Sequence, residues 1–151
     1  MEYVTLPNSD LTVSRVALGT WAIGGWMWGG TDVEQSIRTI EAALDQGITM
    51  IDTAPVYGFG RSEEIVGEAL RRSGRRQEVA LATKVALEWT EDGAVRRNST
   101  PQRIRQEVED SLKRLQTDVI DLYQIHWPDK LVPFEETAAV MQQLKDEGKI
   151  R

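Results

Sequence analysis

The chain has 151 residues, with 24 acidic against 18 basic side chains, a net charge of −6, and a composition 40% hydrophobic and 28% charged. That suits one domain with a real core, and the acidic balance argues against a nucleic-acid binder or a protein docked on anionic lipid. With no cysteine and a single histidine, His126, disulfides, thiolate zinc, iron–sulfur clusters, a cysteine nucleophile and a multi-histidine metal site are excluded, so no metal is expected.

Residues 2–6 and 11–14 flank the turn-forming run Pro7-Asn8-Ser9-Asp10, which predicts a β-hairpin over 2–14. The start is strand-like and acidic, unlike a leader peptide. No apolar run is long enough to span a bilayer. Cytoplasmic residence is the expectation. Residues 16–20 read as the first core strand and 21–30 as a loop rich in glycine and tryptophan. Thr31-Asp32-Val33-Glu34 fits a capping box with Thr31 at the cap. Ile37, Ile40, Ala43 and Leu44 then share one helical face, and Gly47 ends that helix.

Residues 48–51 give a second strand. Ser62 is placed to cap a helix over 62–73, with Ile65, Val66 and Leu70 facing inward and Gly74 closing it. A cluster at its end, Arg71, Arg72, Arg75 and Arg76, suits a solvated C-terminus where cations favour the helix dipole. Residues 79–85 form the third strand and 88–99 a long polar loop. Thr100 and Pro101 open the next helix at its cap and first position. Ile104, Val108, Leu112 and Leu115 follow at helical spacing. Residues 119–126 form the fourth strand. A last helix covers 134–147, with Met141 and Leu144 inward and Gly148 as the stop. Residues 149–151 look like the beginning of a fifth strand.

Strand and helix thus alternate four times, the pattern of an α/β protein with a parallel sheet. A (β/α)8 TIM barrel takes typically ~250 residues, so the chain supplies about half of one. No linker rich in Pro, Gly or Ser divides it.

Polar residues gather at the ends of the strands, the edge where parallel sheets bind ligands. Asp52 follows strand two and Tyr57 lies in the loop beyond it. Lys84 stands near the end of strand three, and His126 ends strand four. Side chains alternate faces along a strand. Lys84 therefore shares a face with Ala80 and Ala82, His126 with Gln124, Leu122 and Ile120, and Asp52 with Met50 and Ile48. All three polar end residues can point into one pocket. Trp21, Trp26, Trp28 and Trp127 lie at the same edge, and Trp21 and Trp127 each directly follow a strand end.

The motifs Gly19-Thr20-Trp21, Met50-Ile51-Asp52-Thr53-Ala54-Pro55-Val56-Tyr57-Gly58 with Ser62-Glu63-Glu64 and Gly67, Ala82-Thr83-Lys84, and Asp121-Leu122-Tyr123-Gln124-Ile125-His126-Trp127-Pro128 resemble the aldo-keto reductase family in order and content. The resemblance covers essentially the whole chain. It implies that residues 1–151 are the N-terminal half of a (β/α)8 barrel, with the hairpin at 2–14 and β/α units over 16–147, ending before strand five. It implies reduction of aldehydes or ketones by hydride from a nicotinamide cofactor, NADP(H) by family habit and NAD(H) as the other option. The catalytic tetrad then falls on Asp52, Tyr57, Lys84 and His126.

Such chemistry needs these residue types, because hydride reaching a carbonyl carbon leaves negative charge on the oxygen. On this resemblance Tyr57 would be the general acid, Lys84 would stabilise the phenolate left behind, Asp52 would orient Lys84, and His126 would donate to the substrate oxygen. Cofactor contacts are expected from Gly19, Thr20, Trp21 and Asp52. Substrate contacts are expected from Trp21, Tyr57, His126 and Trp127. Most of the cofactor site lies in the other half of the family's barrel, so residues 1–151 alone are expected to be inactive and to self-associate or pair with that half. The alternatives are a non-catalytic regulatory subunit on the same fold and an inactive self-associating half barrel.

Overall fold

A computed structural model describes all of residues 1–151. Strands β1 (Tyr3–Thr5) and β2 (Thr12–Ser14) form the antiparallel hairpin, with Val4 opposite Val13. The main sheet has four parallel strands in the order β3 (Leu18–Gly19), β4 (Met50–Asp52), β5 (Ala80–Val85) and β8 (Leu122–Ile125). Helix α1 (Val33–Asp45) joins β3 to β4, and α2 (Arg61–Ser73) joins β4 to β5. Helix α3 (Pro101–Leu115) leads to β8, and α4 (Phe134–Asp146) follows it.

The core lies between the sheet and its helices. Ile40 and Leu44 of α1, Ile65 and Leu70 of α2, Ile104 and Leu115 of α3, and Leu144 of α4 pack on Ile51, Leu81 and Tyr123. These are the positions that helical and strand periodicity single out. The opposite face of the sheet carries Met50, Asp52, Ala80, Lys84, Leu122 and Gln124, all partly exposed. The face assignment from strand alternation holds for these residues and fails at Ile120, which is fully buried in the core cluster. Ile120 instead bridges Ile150 in parallel, so the strand expected at 149–151 is present as its first contact.

Several local expectations are corrected. The first and fourth core strands are shorter than 16–20 and 119–126, and Val16 is exposed. The cap of α1 is Asp32, whose carboxylate accepts from Gln35 N at 2.9 Å. Thr31 donates to Ile23 O instead, and Glu34 pairs with Arg72. Helix α2 is capped by Gly60 rather than by Ser62, which is fully buried. The loop 88–99 holds a second hairpin, β6 (Leu87–Trp89) with β7 (Val95–Arg97). Its three-residue strands are too short and too charged to announce themselves by alternation; it is held by Leu87, Trp89 and Val95 packing near Ala54, Val56 and Phe59. Arg71, Arg72 and Arg75 lie at the surface, where they pair with Glu68, Glu34 and Asp45, but Arg76 reaches inward to Val119 O and the buried Asp121.

Candidate active site

The sheet register brings the site together before any side chain is considered. Gly19 pairs with Asp52, Asp52 with Ala82, and Lys84 with Gln124. Lys84 thus stands two residues beyond the level of Asp52, on the same face of the neighbouring strand. His126 is the next residue of β8's line, its N–H donating to Val85 O at 2.9 Å. Tyr57 comes from the loop after β4. That loop presses against the segment after β3, where a Cβ on Gly24 would lie 2.5 Å from the Tyr57 carbonyl carbon. Only glycine permits this approach.

The Lys84 ammonium donates to three oxygens: Asp52 Oδ2 at 2.8 Å, Thr53 O at 2.8 Å and the Tyr57 hydroxyl at 3.3 Å. An ammonium has three N–H groups, and all three are used. Its side chain is 12% exposed, so these partners replace the water it has lost. The His126 imidazole stands edge-on to the Tyr57 ring at 5.7 Å between centroids. Partial burial, and then the nearby Lys84 charge, push the His126 pKa from 6.5 down to about 4, against a smaller opposing pull from Asp52. His126 is therefore neutral at physiological pH and offers one N–H donor.

The tetrad expected from the sequence is thus one contiguous cluster. Around it, Trp21 lies 6.2 Å from the Tyr57 ring and meets Trp28 edge-on at 5.5 Å. Trp127 lies 5.8 Å from His126 with the Arg97 guanidinium 5.3 Å over its ring. Trp26 packs instead on Phe59, which bridges to Trp89. Sequence reasoning placed Trp26 and Trp28 at this edge without separating them, and did not reach Arg97 or the Thr53 carbonyl. Arg97 is delivered by the unforeseen hairpin, and no side-chain pattern reports a backbone oxygen.

The candidate cofactor residues divide. Trp21 is an exposed indole, and Asp52 is 31% exposed with one oxygen held by Lys84. A flat aromatic face and a carboxylate with spare acceptor capacity fit the nicotinamide and ribose end of a dinucleotide. Gly19 leaves open space where a Cβ would stand. Thr20 is fully buried, its hydroxyl engaged by Asp52 O and Ser62, so its side chain serves the protein interior. No helix is long and apolar enough to cross a membrane.

Comparison with known proteins places these features in context. The Aldo/keto reductase family model matches residues 15–151. The chain is 63% identical over its whole length to the aldo-keto reductase YhdN of Bacillus subtilis, covering 45% of that protein. It is 45% identical, again over 100% of its length, to the NADH-specific methylglyoxal reductase of Escherichia coli, covering 50% of it. Among solved structures, the glycerol dehydrogenase of Gluconobacter oxydans superposes with a TM-score of 0.89 at 56% identity, over 99% of this chain and 46% of that one. The chain therefore spans about half the length of the curated relatives it matches, and its four β/α units form a partial barrel.

Proposed function

The chain belongs to the aldo/keto reductase family, and we propose that the complete protein reduces aldehydes or ketones to alcohols with a nicotinamide cofactor, using Tyr57 as the proton donor. The observation that carries this reading is the Lys84 ammonium, hydrogen-bonded at once to the Asp52 carboxylate and the Tyr57 phenol.

The cofactor, NADP(H) or NAD(H), supplies the hydride when bound. Trp21 and Asp52, with the chain at Gly19 and Thr20, would hold its nicotinamide end. Tyr57 gives its proton to the carbonyl oxygen as that oxygen gains charge. Lys84 stabilises the phenolate that remains, and Asp52 keeps the ammonium aimed. Neutral His126 donates its N–H to the same carbonyl oxygen and fixes its position. Trp21, Trp28 and Trp127 wall the site and limit water around the reacting atoms. The balance is one hydride to carbon and one proton to oxygen, giving an alcohol and the oxidised cofactor.

Residues 1–151 act here as the N-terminal half of a (β/α)8 barrel, completed by further β/α units that carry the rest of the cofactor site. The likeness to a methylglyoxal reductase and a glycerol dehydrogenase supports small oxygenated substrates. The test is the complete protein with a small aldehyde, following loss of NADPH and of NADH in parallel. Turnover with either supports the reading. Cofactor binding without turnover of any aldehyde in a panel contradicts it and indicates a binding subunit.

A further inference from the structure

We propose that Ser62 and Glu63, at the start of α2, are positioning residues that fix the strand ends bearing Asp52 and Lys84; this rests on the carbonyl-reductase reading above. Neither side chain touches a tetrad side chain, although the Ser62 N–H donates to the Tyr57 carbonyl at 3.1 Å. Both are fully buried, and between them they reach three adjacent strands.

Ser62 lies in a directed chain of hydroxyls. Thr53 Oγ1 donates to Ser62 Oγ at 3.0 Å, and the single Ser62 hydroxyl proton faces two acceptors on Thr20, its hydroxyl at 2.8 Å and its carbonyl at 2.9 Å. Thr20 Oγ1 in turn donates to Asp52 O at 3.1 Å. One serine thus joins the end of β3 to the end of β4. Thr53, where the chain starts, also offers its carbonyl to Lys84 Nζ at 2.8 Å. Any shift of Ser62 is transmitted to an atom that holds the ammonium.

Glu63 fixes the third strand. Its Oε1 accepts from Thr83 Oγ1 at 2.6 Å, and Thr83 is the residue before Lys84 on β5, pointing to the helix side. Its Oε2 accepts from Arg114 Nε at 2.6 Å on α3, and Arg114 also pairs with the buried Glu107. A fully buried carboxylate is costly unless compensated. Here the compensation locks α2, α3 and β5 into one relation directly behind Lys84. A surface capping residue or a solvated acid would stabilise the helix without reaching the sheet; these two residues reach it at the strand ends and nowhere else.

The test uses Thr83 and Ser62, because Glu63→Gln strands Arg114 and can prevent folding. Thr83→Val keeps shape and removes the hydrogen bond, Thr83→Ser keeps the bond, and Ser62→Ala breaks the hydroxyl chain. In the complete protein, Thr83→Val and Ser62→Ala should lower kcat by about ten- to a hundred-fold, since small misplacements of reacting groups cost that much. KM for the aldehyde and Kd for the cofactor should stay within about twofold. Thr83→Ser should restore kcat. Unchanged kcat in folded Thr83→Val and Ser62→Ala overturns the proposal. So does a kcat loss that merely tracks the fraction folded and is not rescued by Thr83→Ser. An absence of turnover in the unaltered protein would instead remove the carbonyl-reductase reading, and this inference with it.

Discussion

The His126 imidazole meets the Tyr57 ring edge-on, with 85° between their planes, and it does so as a neutral group. Its pKa of about 4 comes from burial first and the Lys84 charge second. The unfolded chain takes up this proton near 6.5 and the folded chain only near 4. Above the higher value His126 adds no pH dependence to stability. Between the two values the unfolded state binds more protons, so stability falls as the pH drops, and it levels off below the lower one. Because the chain has one histidine, an NMR titration of its imidazole reads this directly. A midpoint near 4 is expected; a midpoint above physiological pH contradicts the neutral-donor role.

Arg114 is the shared partner of two fully buried carboxylates, Glu63 and Glu107. Arg114→Met keeps the length of the side chain and leaves both carboxylates without that charge. The expected loss is about 3–5 kcal/mol, because removing one partner of a buried ion network leaves uncompensated charge. Urea unfolding of the variant measures it. A loss below about 1 kcal/mol would place the network among those of little energetic weight.

The parts of the fold and site that the sequence made legible share one property: they depend on periodic burial. Ile37, Ile40 and Leu44 announce α1 by spacing alone, and Ala80, Ala82 and Lys84 announce the face of β5. That Asp52, Lys84 and His126 lie together followed from their places at strand ends, and Tyr57, in the loop after β4, was singled out only by its motif. What was not readable depends on tertiary contacts. Asp32 rather than Thr31 caps α1, because Thr31 is drawn away to Ile23 O. Ser62 looks like a cap and is instead a buried link between strands. Arg76 looks like a solvated helix end, yet Asp121 and the Val119 carbonyl from the neighbouring strand's segment, with the nearby Val79 carbonyl, claim it. The β6–β7 hairpin gains its stability from Phe59 and Val56, residues far from it in sequence.

Gly24 tests the loop packing that places Tyr57. A Cβ there meets the backbone of Tyr57 and Gly58, which no rotamer change relieves. Gly24→Ala should cost about 1–3 kcal/mol by overpacking. Its effect on turnover should be larger than that stability loss implies, since the displaced residue is the proposed proton donor. Thermal melting beside steady-state kinetics checks this. Full activity in Gly24→Ala would show that Tyr57 tolerates movement of its loop.

The most direct test of the central claim is Tyr57→Phe in the complete protein, with cofactor binding and aldehyde reduction measured on the same sample. The variant removes one oxygen, the one 3.3 Å from Lys84 Nζ. The expected result is a fall in kcat of at least about a thousand-fold, the order supplied by general acid catalysis, with the cofactor Kd unchanged within about twofold. Turnover of Tyr57→Phe near that of the unaltered protein would contradict the account.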